Sequence, residues 1–120
     1  MPNFEIAYYQ SSNGRSPVET FLSQLSPKAR AKCLDYVALL EEKGLDLSSN
    51  YLKKLHGEKN LWELRPEWGG VEHRLFFTPA GGLFTFVHAV TKKGEKTPKA
   101  ALETARRRVR EVQEYYASTN

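Results

Sequence analysis

The chain has 120 residues, 40% hydrophobic and 27% charged, with a net charge of +4. These values are ordinary for a globular protein and point to one domain over residues 1–120. No apolar stretch approaches the roughly 20 residues of a membrane span, MPNFEIAYYQ lacks a basic start and an apolar h-region, and a sole cysteine, Cys33, excludes an intramolecular disulfide and a thiolate zinc cluster. The cytoplasm is the expected location.

NFEIAYY alternates, with Phe4, Ile6 and Tyr8 on one side and Glu5 and Ala7 on the other, which predicts a first strand. SSNGR is a turn. SPVETFLSQL opens a short helix, with Ser16 as N-cap, Pro17 in the first turn and Glu19 closing a capping box. SPKARAKCLDYVALLEEKG repeats that grammar: Ser26 caps, Pro27 starts and Gly44 stops a second helix. Cys33, Val37 and Leu40 share its apolar stripe, so Cys33 reads as an inert small hydrophobe. Three strands are predicted next: LWELR, then VEHRLFF after the PEWGG loop, then GLFTFVHAVTK after the TPAGG turn. Such short connections require antiparallel neighbours. KTPKAALETARRRVREVQEYY begins with Thr97 as cap and Pro98 just inside, and Ala101, Ala105, Val109, Val112 and Tyr116 form its apolar face. The order β-α-α-β-β-β-α describes a compact α+β domain, an antiparallel sheet with a helical hairpin and a C-terminal helix, with helices mainly on one sheet face.

Charge is distributed unevenly. Residues 1–91 carry ten Lys/Arg and ten Asp/Glu, whereas residues 92–120 carry eight against four and hold the whole excess. A one-ended positive field suits a polyanion-binding protein, and a solvated C-terminal helix would produce the same count.

Alternation assigns faces to the strands. Val71, His73, Leu75 and Phe77 point one way, and Glu72, Arg74, Phe76 and Thr78 the other. Trp62 and Leu64 oppose Leu61, Glu63 and Arg65, while Phe84, Phe86, His88 and Val90 read as a core face of the third strand. One face is then packed under the helices. The other is expected to be wet and to carry Glu63, Arg65, Glu72 and Arg74, approached by Lys92, Lys93 and Lys96. Two readings of the strand arginines stay open. They pair with Glu63 or Glu72 as surface cross-strand pairs, or they form a phosphate-binding surface with the lysines, a role suited to the planar guanidinium fork.

LKKLHGEKNLWELRPEWGGVEHRLFF followed by VHAVTKKGEKTPKAALETARRR resembles the RelE/ParE toxin superfamily, nearest its HigB-like, phage-derived branch in type II toxin–antitoxin systems. The resemblance rests on Leu55 to Gly57, Leu61 to Arg65, Arg74, the Lys92–Lys93 pair and Lys96 to Pro98, and it spans roughly residues 50–110. His73 stands where tyrosine is usual before the strand arginine, and VHAVTKK where LHGFxKK is more common.

The resemblance implies a ribosome-dependent endoribonuclease that cuts mRNA in the decoding site without a metal or other cofactor. The ribose 2′-hydroxyl would attack the adjacent phosphorus, leaving a cyclic phosphate and a 5′-hydroxyl. It also implies three partners: the ribosome, mRNA and a cognate antitoxin, expected to be a helix-turn-helix protein. No membrane partner is expected. Carried onto this sequence, Arg74 would stabilise the transition state and Arg65 would hold the scissile or neighbouring phosphate. Lys93 would help stabilise developing charge, and His56 is the histidine freest to exchange a proton. Lys92, Lys96, Lys53 and Lys54 would grip the RNA backbone and Trp68 would stack on a base. His73 and His88 fall on core faces and read more readily as structural imidazoles. Two other functions compete: a ParE-like inhibitor of DNA gyrase, and a non-catalytic module that binds nucleic acid or protein.

Overall fold

The structure is a computed structural model that describes residues 3–92 and 97–119. Elements run in the order β1 (Glu5–Tyr8), α1 (Pro17–Ser23), α2 (Pro27–Lys43), a 3₁₀ turn (Gly44–Asp46), β2 (Leu52–Lys54), β3 (Trp62–Leu64), β4 (Glu67–Trp68), β5 (Val71–Ala80), β6 (Leu83–Thr91) and α3 (Lys99–Thr119). The expected α+β fold is present, with two short strands added: β2 and β4. The sheet order is β1-β6-β5-β3-β2, and β4 pairs only with β5. The three strands expected to be antiparallel are so, and β1 extends the sheet as a parallel edge on β6.

Local chemistry explains the helix boundaries. The Ser26 hydroxyl accepts the Ala29 N–H at 3.3 Å, and Gly44 ends α2 at φ 62°. Ser16, expected to cap α1, makes no side-chain cap, and its hydroxyl is buried without a partner. The helical hairpin is closed instead by Arg30, whose guanidinium donates to the carbonyls of Leu22, Ser23 and Leu25 near the α1 C-terminus. Carbonyls at a helix C-terminus keep acceptor capacity that such a side chain can use.

The expectation of a single covered face is corrected. Both faces of the sheet are packed. Val18, Leu22, Cys33, Val37 and Leu40 of α1 and α2 meet Leu64, Leu75, Phe77, Phe84 and Phe86 on one face. On the other, Ala105, Val109 and Val112 of α3 meet Leu61, Phe76 and Val87. The apolar stripe predicted for α3 is the buried one, and the face opposite β5's Leu75 and Phe77 is where it docks.

The face assignment of β6 is also corrected. Phe76 and Phe77 pair with His88 and Phe86, so Val87 is an extra residue with no partner on β5. A β-bulge of this kind reverses strict alternation beyond it. Phe84 and Phe86 therefore face α1 and α2, while Val90 packs in the α3 core and His88 stacks on Phe76.

The β4–β5 and β5–β6 turns both use a Gly-Gly pair. Trp68 pairs with Val71 and Ala80 with Leu83, leaving Gly69–Gly70 and Gly81–Gly82 as two-residue loops. All four glycines have φ between +61° and +81°. A primed hairpin turn demands positive φ at both positions, which glycine adopts without steric cost.

Candidate functional site

The strand arginines have different fates. Arg74 lies on the α3 side of β5 and is 7% exposed. Its Nη1 donates to both oxygens of Glu63, at 2.8 and 3.0 Å, and its Nε donates to Glu72 Oε1 at 2.7 Å. Glu63 is fully buried, and Lys92 Nζ approaches the same Glu72 oxygen at 3.8 Å. Two carboxylates thus face two cations. Nη1 of Arg74 also reaches the Thr97 hydroxyl at 3.5 Å, which ties the lead-in to α3 to the sheet.

This arrangement corrects the expected place of Arg74. The residue is neither an exposed phosphate ligand nor half of a wet surface pair. It is the centre of a buried ionic cluster, and its fork already holds carboxylates. Removing one partner of such a cluster strands the other charge in the interior.

Arg65 takes neither glutamate. Extending the β3–β5 register by one residue beyond Leu64↔Leu75 would set it opposite Arg74. The same register carries on past it, with the His73 N–H on the Pro66 carbonyl at 2.8 Å and Glu67 opposite Glu72, while the Arg65 N–H bonds the Tyr51 carbonyl on the β2 side at 3.1 Å. In the guanidinium, Nη2 donates to the Ser49 carbonyl at 2.9 Å and Nε is buried with no partner. Among the described residues, no carboxylate lies within ion-pair distance of Arg65. A half-buried guanidinium with spare donors and no counter-ion is suited to an incoming anion.

Arg65 opens onto an aromatic surface. Tyr36 and Tyr51 meet edge to face with centroids 5.1 Å apart. Burial pushes the Tyr36 hydroxyl pKa up, Tyr51, Glu67 and Glu72 add to the shift, and Arg65 opposes it. Trp68 is 45% exposed on the β4–β5 hairpin, with Lys28 Nζ of α2 5.8 Å from its ring centroid.

The other expected site residues divide by location. Arg65, Arg74, Lys92 and Trp68 gather where β3 ends, β5 begins and β6 ends. Lys53 and Lys54 are exposed on the β2 edge, opposite Glu63 and Trp62, and His56 is exposed in the loop that follows. That loop is fastened to α3 by a Glu58–Arg106 ion pair at 2.6 Å. The hydrogen bonds from Arg106 hold the Glu58 carboxyl below its usual range. Lys93 and Lys96 lie outside the described residues. Lys28, Lys32, Tyr36 and Tyr51 were missed by sequence reasoning. The signal was the spacing of the first three at i, i+4 and i+8 in α2, off the stripe of Ala29, Cys33, Val37 and Leu40.

The two strand histidines are structural. His73 is 4% exposed, its Nδ1 lies 3.0 Å from the Thr91 hydroxyl, and its ring meets Phe21 edge-on. His88 stacks on Phe76, and its Nδ1 accepts from Arg108 at 3.2 Å. Burial lowers the pKa of both. For His88 it falls to about 4, with Arg108 and Arg107 adding to the effect. The unfolded chain therefore takes up a proton near pH 6.5 that the folded chain refuses until about 4. The stability contributed by neutral His88 is lost as pH falls through that window. Thermal melts from pH 7 to pH 4 should show a falling Tm, with a shallower fall in His88→Gln. An unchanged slope in that variant would contradict the assignment. Burial also pushes the Cys33 thiol to about 11, in keeping with an unreactive core position.

The profile of a family described as Phage derived protein Gp49-like (DUF891) matches residues 20–110. The chain belongs to this Gp49-like family. The match runs from α1 into α3 and so includes the buried Arg74 cluster, Arg65 and the β4–β5 hairpin. The family is associated with RelE-like, toxin-like proteins, and the α+β fold is consistent with that association. A search of curated proteins finds no match to this Gp49-like chain. Among its described residues, no helix is long and apolar enough to cross a membrane.

Proposed function

We propose that this Gp49-like protein is the toxin of a toxin–antitoxin pair, of the HigB-like type. It acts as a metal-independent, ribosome-dependent endoribonuclease on mRNA in the cytoplasm until a cognate antitoxin silences it. The observation that carries the reading is Arg65: a guanidinium with an unpartnered buried Nε and no carboxylate beside it, in a family associated with toxin-like proteins.

In this reading Arg65 holds a phosphate next to the cut, and Lys92, with Lys93 beyond it, stabilises charge developing on the phosphoryl oxygens. Lys96, Lys53 and Lys54 steer the RNA backbone toward the site. His56 is the one histidine on the surface and can exchange a proton with substrate or solvent. Arg74 does not touch RNA; it holds β3, β5 and the approach to α3 in the geometry that presents Arg65.

The test is to add the purified protein to a translating extract and, separately, to a gyrase supercoiling reaction. Truncated mRNA with 5′-hydroxyl ends and unimpaired supercoiling are expected. Intact mRNA with blocked supercoiling would favour the gyrase-inhibitor reading. No effect in either reaction would favour the non-catalytic binding module, which the neutralised Arg74 also fits.

A further inference from the structure

Three features lie on one side of the molecule, outside the Arg74 cluster. First, Lys28, Lys32 and Tyr36 occupy successive turns of α2 in a row that runs alongside its core stripe, with Tyr36 partly packed against the core. Lys32 Nζ sits 5.9 Å from the Tyr36 ring centroid, just as Lys28 sits 5.8 Å from that of Trp68. Second, the Trp68–Val71 pair of the β4–β5 hairpin exposes large apolar surface beside α2, with Trp68 45% and Val71 44% exposed. Third, Arg65 stands within electrostatic reach of Tyr36 and keeps an unpartnered Nε.

The charge balance favours an anion. Lys28, Lys32, Arg65 and Lys92 are set against Asp35, Glu67 and Glu72, and Glu72 is already engaged by Arg74 and Lys92. Cations over solvent-accessible aromatic rings form weak contacts, which a ligand offering both a π-face and a negative charge can replace with stronger ones. A single-stranded nucleic acid has both, whereas a duplex hides its base faces.

We propose that the outer face of α2 and the β4–β5 hairpin form a stacking platform for single-stranded RNA, with unpaired bases on Trp68 and Tyr36 and phosphates on Lys28, Lys32 and Arg65. This rests on the nuclease reading and gives it a substrate-positioning surface. The platform grips mRNA beside the cut, so it sets affinity and cleavage position.

The test compares wild type, Trp68→Ala and the Lys28→Ala/Lys32→Ala double variant as full chains. Binding to a labelled single-stranded oligoribonucleotide and to its duplex is read by fluorescence anisotropy over a salt series. The same proteins are assayed for mRNA cleavage in a translating extract. Trp68→Ala should weaken single-strand binding about tenfold and leave duplex binding unchanged. The lysine variant should reduce the salt slope by about 1.4, the value for two phosphate contacts on a single strand. Single-strand affinity and salt slope unchanged in both variants would overturn the platform, even if wild type cuts mRNA. Loss of binding to a protein partner with RNA binding retained would overturn it too. A wild type that binds single strands through these residues but cuts nothing would support the platform and sink the nuclease reading.

Discussion

Arg74→Ala should destabilise the protein by about 3–5 kcal/mol, the cost of stranding a buried charge. The fully buried Glu63 carboxylate would lose the guanidinium that bonds both its oxygens, and Glu72 would keep only Lys92 at 3.8 Å. The link to Thr97 before α3 would go with it. Urea unfolding monitored by circular dichroism measures this directly. The pair itself need not be strongly stabilising, because removing two charges from water offsets much of their attraction. Glu63→Met/Arg74→Met should therefore recover most of the lost stability. A single variant as stable as wild type would show that the cluster does not hold the fold.

Arg65→Ala should behave in the opposite way. Its guanidinium donates to the Ser49 carbonyl, so its loss should cost about 1 kcal/mol. Cleavage in a translating extract should nonetheless fall by about 10²-fold, the loss expected when a group that positions the substrate is removed. Arg65→Lys keeps the charge but loses the fork, and should lie between the two. Equal cleavage by wild type and Arg65→Ala at saturating protein would remove Arg65 from the chemistry.

The contrast between these arginines marks the limit of the sequence. Alternation places Arg65 and Arg74 on the same side of the sheet and Glu63 and Glu72 beside them, and both readings of their pairing are legible there. Which one holds depends on where α3 docks. Its stripe of Ala101, Ala105, Val109 and Val112 is plain in the sequence, but the face it covers is a tertiary fact. Once α3 lies over Phe76, the expected wet surface is an interior, and a charge there needs a partner. Arg65 differs in its side chain, whose guanidinium bonds the Ser49 carbonyl and reaches neither glutamate.

The bulge at Val87 was hidden for a related reason. Phe84, Phe86, His88 and Val90 alternate without a break in the sequence, and no glycine or proline signals the extra residue. Helix punctuation was better marked, because proline and glycine act locally: Pro27 and Gly44 bound α2 as expected. The Lys28–Lys32–Tyr36 row was visible in helical spacing, but its meaning depends on Trp68, which the Gly69–Gly70 turn and β4 bring beside α2.

The most direct test of the division of labour is mRNA cleavage by Glu63→Met/Arg74→Met at a temperature where circular dichroism shows it folded. Cleavage within about tenfold of wild type is expected, well short of the loss on removing a catalytic donor. A folded double variant that leaves mRNA intact in an extract where wild type cuts it would contradict the account and return Arg74 to the reaction.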